Sequence, residues 1–143
     1  MKARAIEDIL QRAISLGACS KSNGVTDWKT LTWLFFSPQG YEFCENNNYP
    51  TIEMFREIKE EVSQYNVFVD AGTQKRNNDS CVALIGKTKG ELYFDDNTKI
   101  HKVILMHDAS ADIVVRNYAV VRLINIGNCN VRVHKDKTSI ILN

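Results

Sequence analysis

The sequence predicts an α+β chain: a small N-terminal helical domain over residues 1–70, a hinge or loop over 71–80, and a short C-terminal β-solenoid over 81–143. Three observations lead there. Apolar residues in the first half recur at the three-to-four spacing of a helix face. From Cys81 onward they recur two apart, as in a strand with alternate side chains on opposite faces. Every second strand-like doublet then repeats after 18 to 21 residues, which suits a flattened solenoid laying two strands per coil onto two facing parallel sheets.

Ile6, Ile9, Leu10, Ala13 and Ile14 give the first helical face, and Gly17 is placed to end it. After the polar Ser20–Gly24, Thr26 is the expected cap of a second helix, with Asp27 in its first turn and Trp28, Leu31, Leu34 and Phe35 along its face. Ser37-Pro38 starts a third, pairing a capping hydroxyl with proline at the first helical position, and Asn46–Asn48 breaks it. Thr51 caps a fourth, with Ile52, Phe55, Ile58 and Val62 inward. The aromatic residues concentrate between Trp28 and Tyr65, the composition of a small helical core or of a ligand cradle. Val67–Val69 reads as a strand opening the β half, and the polar Ala71–Ser80 as the hinge.

The doublets are Val82/Leu84, Leu92/Phe94, Val103/Leu105, Ile113/Val115, Val121/Leu123, Val131/Val133 and Ile140/Leu142. Between them lie Gly, Asn and Asp, which accept tight turns. An antiparallel meander is the competing arrangement. No connector, however, has the Asn-Gly or Asp-Gly pair that favours a two-residue hairpin. Ile104, Met106, Val114, Val120, Ile124 and Ile141 fall out of phase with the doublets and are expected to point outward. So much apolar surface calls for cover, either from the helical half or from another subunit. The uncapped rung Ile140–Leu142 adds an open sheet edge. A homo-oligomer is the expected outcome, with those six residues at its interface.

Composition is that of ordinary soluble globular material, 44% hydrophobic and 24% charged. No apolar run approaches the roughly 20 residues of a membrane helix. The amphipathic, acid-bearing N-terminus does not resemble a secretory signal, so a cytoplasmic setting is expected. Residues 1–70 carry 7 Lys/Arg against 10 Asp/Glu, whereas residues 71–143 carry 11 against 7. That mild basic excess is far below a nucleic-acid footprint. Cys19, Cys44, Cys81 and Cys129 are scattered and form no C-x-x-C pair, so they read as reduced, mostly buried hydrophobes.

No catalytic, metal or cofactor motif emerges. Gly86-Lys87-Thr88 ends like a phosphate-binding loop, but Cys81 stands where its first glycine belongs, and a strand follows instead of a helix. His101, His107 and His134 share no helical face and are expected as polar or solvated turn residues. The candidate ligand residues are Arg122, Arg132, His134, Lys87 and Lys89. Those on strands point out of the sheets and, across a subunit interface, would suit an anion such as a nucleotide. Ordinary solubilising charge is the plain alternative.

Leu34-Phe35-Phe36-Ser37-Pro38-Gln39-Gly40-Tyr41-Glu42-Phe43-Cys44 and the strand–turn cadence from His107 to Val133 carry one resemblance. The chain resembles uncharacterised small proteins from phages and mobile elements of gut Bacteroidetes, with a helical N-terminal segment and a β-solenoid-like repeat. The resemblance implies a phage or mobile-element origin, a host bacterial cytoplasm and a small oligomer, and supplies no catalytic residue. The expected function is therefore non-enzymatic, through binding or assembly, with the β half as oligomerisation module. The alternative is a phage anti-defence protein sequestering an anionic host ligand such as a nucleotide signal; a host protein is the other possible partner.

Overall fold

A computed structural model describes residues 2–15 and 27–143. The helices are α1 (Lys2–Ser15), α2 (Trp28–Phe35), α3 (Pro38–Asn47), α4 (Ile52–Glu57) and α5 (Lys59–Ser63). Nine strands follow: β1 (Val67–Val69), β2 (Gly72–Asn77), β3 (Cys81–Ile85), β4 (Thr88–Phe94), β5 (Ile100–Met106), β6 (Ser110–Val115), β7 (Val120–Asn125), β8 (Asn130–Lys135) and β9 (Ile140–Leu142). Gly17, Cys19, Ser20–Gly24 and Thr26 lie outside the described residues.

The caps follow from side-chain chemistry. The cap of α2 is Asp27, whose carboxylate accepts the Thr30 amide proton at 2.7 Å. Ser37 and Thr51 cap α3 and α4 as their sequence context predicts. Asn48 ends α3 in the left-handed conformation. The single fourth helix is instead two, α4 and α5, because Ile58 leaves helical geometry (φ −109°, ψ 12°) while keeping its side chain in the core.

All the strands pair in parallel, in two sheets. Sheet A has the order β1-β3-β5-β7-β9 and sheet B the order β2-β4-β6-β8. This is the solenoid, and the meander is excluded. It opens earlier than predicted: Ala71–Ser80, expected as a hinge, holds β2, the first strand of sheet B. Its polar sequence reflects an edge position, with Thr73, Lys75 and Asn77 on the outer face. Between the sheets Val82, Leu84, Val103, Leu105, Leu92, Phe94, Ile113 and Val115 form stacked aliphatic and aromatic ladders.

The register differs from simple doublet stacking. Val103 pairs with Leu123, not Val121, and Ile113 with Val133, not Val131. Val121 pairs with Ile141, so Ile141 points inward and Ile140 outward, the reverse of the doublet assignment. The corners set this register. Asn78 and Asp95 exchange hydrogen bonds, Asn117 donates to the Asp95 carbonyl, and the Asn117 amide donates to Asp136. Asp136 also accepts from the amides and hydroxyls of Thr138 and Ser139, fixing the entry into β9.

Those hydroxyl donors, Thr138 first and Ser139 next, hold the Asp136 carboxyl well below the usual carboxylate range. Asp70, bonded by the Arg56 side chain and then by the Lys87 amide, is depressed for the same reason. A depressed folded-state value gives stability that is present above the unfolded aspartate value of about 3.9 and lost as pH falls. The urea midpoint is therefore expected to hold down to about pH 5 and to drop below about pH 4. Asp136→Asn is expected to blunt the drop; a wild-type midpoint that stays flat to about pH 2 would contradict this account.

Sheet A is buried on its inner face and, over much of its outer face, beneath the helices. Its outer residues Val67, Val69, Ala83, Ile85, Ile104, Met106 and Ile124 share one core with Ile9, Phe36, Phe55, Ile58 and Val62 of the helical half. Lys102 Nζ donates to the Phe36 carbonyl at 3.1 Å, and a His107 ring nitrogen lies 2.8 Å from the Pro50 carbonyl. The helical half is thus a layer packed on the solenoid.

Candidate functional site

The proposed interface residues separate by location. Ile104 and Met106 are wholly buried and Ile124 nearly so, all beneath the helical layer, and Ile141 faces the solenoid interior. These four lie on no free outer face, because the helices cover three of them and register inverts the fourth. Val114 is half-buried on the outer face of sheet B, in one row with Tyr93 and His134. Val120 is half-buried on the outer face of sheet A.

The candidate ligand residues divide between the two sheets. Lys89, Arg132 and His134 lie on the outer face of sheet B, and Lys87 in the β3–β4 turn. Arg122 lies on the outer face of sheet A, between Lys102 and Leu142 in register. Only Lys89 and Arg132 converge, and they do so on a carboxylate. Arg132 Nε donates to Asp112 Oδ1 at 3.0 Å, and Lys89 Nζ is 3.5 Å from Asp112 Oδ2. Burial pushes the Asp112 carboxyl up, but the Arg132 hydrogen bond and the two cations outweigh it and hold the group below its ordinary value. The shallow depression here, about 130 Å³, is lined by Lys89, Ser110, Asp112, Asn130 and Arg132. It is an ion-pair cluster in which two cations share one carboxylate.

The histidines also separate. His134 is exposed, and His107 is a half-buried corner residue at φ 56°. His101, expected as a solvated turn residue, is fully buried inside the solenoid with its ring 4.7 Å from that of Phe94. Its nitrogens lie 2.8 Å from the Asp79 carbonyl and 2.9 Å from the Asp96 carbonyl. Cys44 is buried and its thiol pushed up to about 12; burial also raises Cys81 and Cys129. Among the described residues no three His, Cys, Asp or Glu side chains gather as a metal site, and no helix is long and apolar enough to cross a membrane.

The aromatic cluster forms the helical core through edge-on contacts of Phe35 with Phe36 and Phe55, and of Phe43 with Tyr49. A cavity of about 100 Å³ remains between α1, α2 and α3, walled by Ile9, Leu31, Phe35, Phe43 and Cys44.

The two ends of the solenoid are unlike. At the first coil the inward residues of β2 are Gln74 and Arg76. The Arg76 guanidinium lies over the Phe68 ring at 5.3 Å and bonds Asp79 and Asn66, closing that end with a polar lid. At the last coil the inward residues are Val131, Val133 and Ile141, with Val133 37% exposed and its neighbours half-buried. Ile140, outward on the same coil, is 51% exposed.

Comparison with protein-family models, curated proteins and solved structures finds no match, so the geometry carries the functional argument alone.

Proposed function

We propose that this is a non-enzymatic assembly protein, of the phage or mobile-element kind it resembles, whose last solenoid coil seats a second copy of the chain. The observation that carries the reading is the contrast between the ends. Solenoids need polar terminal coils to stay soluble, and the first coil has one in Gln74 and Arg76. The last coil instead offers Val133, Ile140 and Ile141 around an unpaired edge at β9. Arg132 and Lys135 guard the neighbouring β8 edge with charge, while Ile140–Leu142 of β9 carries none. A two-fold contact centred on β9 buries the apolar end of both copies and closes, using up the β9 edge of each.

The test is mass in solution. Light scattering after gel filtration is expected to give a multiple of 16.3 kDa for the wild type. Val133→Glu, which places a charge in the contact, is expected to run as a folded monomer with unchanged circular dichroism. A wild type that is monomeric at about 100 µM, or a Val133→Glu variant with wild-type mass, would overturn the reading.

Sequestration of an anionic ligand ranks second. Asp112 already occupies the space between Lys89 and Arg132, and an incoming anion would meet its carboxylate.

A further inference from the structure

We propose that the helical half binds one small-molecule aliphatic chain of about six carbons, held between α1, α2 and α3 with its polar head outside beside Gln39. The space for it is already in the core. The cavity of about 100 Å³ has Ala13, Phe43 and Cys44 in its walls. A second, of about 50 Å³, shares the walls Ile9, Leu31, Phe35 and Pro50 and reaches Phe55, Val62 and Val67 of β1. Side by side they approach the roughly 150 Å³ of an engineered apolar cavity that stays dry and takes one benzene. Extending from α3 to β1, they suit a chain better than a ring.

The walls exclude water as the occupant. A buried water needs two or more polar partners, and the polar groups here are already spent. The Tyr49 hydroxyl donates to the Ile9 carbonyl at 2.6 Å, and the Thr32 hydroxyl to the Trp28 carbonyl at 2.7 Å. Among the described residues no buried side-chain nitrogen or oxygen lacks a partner. The Cys44 thiol, pushed up to about 12 by burial, stays protonated and adds no charge. Every remaining wall is hydrocarbon or aromatic carbon, so the guest that gains is apolar.

The void is local to the helical half. Inside the solenoid the packing is tight enough that a methyl group added at Gly90 would collide with Leu84. Close-packed interiors hold few spaces larger than a water, because lining atoms forfeit their contacts there. A guest between the helices restores those contacts. Its way in is the rim, where Leu10, Leu34 and Gly40 are half-buried and Gln39 is exposed. The Gln39 amide suits a polar head kept at the surface while the chain is buried. This site is distinct from the end that seats a second copy.

The experiment titrates straight-chain alcohols, from 1-butanol to 1-decanol, into methyl-labelled protein followed by NMR. Saturable shifts are expected at the methyls of Ile9, Ala13 and Leu31, with none at Val103 or Ile113 inside the solenoid. Affinity should rise about fourfold per methylene and level off near about six carbons, when the space is full. Ala13→Leu, or Cys44→Met from the facing helix, fills the first void and should weaken 1-hexanol about tenfold or more without lowering the melting temperature. Val133→Glu should leave binding intact, which separates this result from failure of the self-association reading. The proposal is overturned if those methyls do not shift, or if affinity climbs through the whole series, as surface partitioning would have it. Wild-type affinity in a folded filling variant would equally overturn it.

Discussion

Replacing Ile104 with alanine is expected to cost about 2–5 kcal/mol of stability, while replacing Ile100 on the same face of the same strand is expected to cost under about 1 kcal/mol. Both are isoleucines of β5 pointing away from the solenoid interior. Ile104 is wholly buried between Ala83, Ile124 and the helical core; Ile100 is more than half exposed. Truncating the first removes transfer free energy and leaves a cavity that the packed helices fill only in part. The second removes atoms that water already touches. Urea denaturation of the two variants checks the pair, and equal losses would mean that the helical layer does not rest on sheet A as described.

His101→Leu is expected to cost about 1–3 kcal/mol, although leucine is apolar and of similar bulk. The histidine ring lies between two corner carbonyls, that of Asp79 before β3 and that of Asp96 before β5. Leucine fills the space against Phe94 but donates to neither. A neutral imidazole carries one N–H, so one of the two carbonyls loses its donor, at a cost of roughly 1–3 kcal/mol. His134→Leu, on the exposed outer face of sheet B, is the control and is expected to stay near wild type. If His101→Leu unfolds at the wild-type urea concentration, the ring is a packing residue only.

The sequence misplaces His101 for a definable reason. Alternation assigns a side chain to a face but does not say whether that face is wet. His101 keeps the inward phase of Val103 and Leu105, and its neighbour in register is Val121. A polar residue in that phase looks like the end of the strand, whereas its two nitrogens lie against carbonyls from turns 22 and 5 residues away in sequence, one of which accepts the ring N–H. Nothing in the local sequence announces those partners. The outward row Ile100, Val120 and Ile140 of sheet A, by contrast, left a trace, since its members are evenly spaced. Alternation drew attention to the doublets in the other phase.

Much of the fold was determined by the sequence alone. Period-two alternation required strands, a recurrence near 20 residues required coils, and the Asn and Asp corners required tight turns that stack. Helix caps at Ser37 and Thr51 were equally local, since a hydroxyl and the amide three residues on are enough. Register and cover were decided only in three dimensions. In Ile140-Ile141-Leu142 every residue is apolar, so alternation is silent, and the face each one takes is set by Asp136 binding Asn117 on one side and Thr138 and Ser139 on the other. The outward isoleucines of β5 likewise read alike in sequence. Ile104 is core and Ile100 is surface because the helical layer, anchored through Phe36, Pro50 and Phe55, extends over one and stops short of the other. Burial is a property of what lies opposite a residue, and that partner comes from a distant part of the chain.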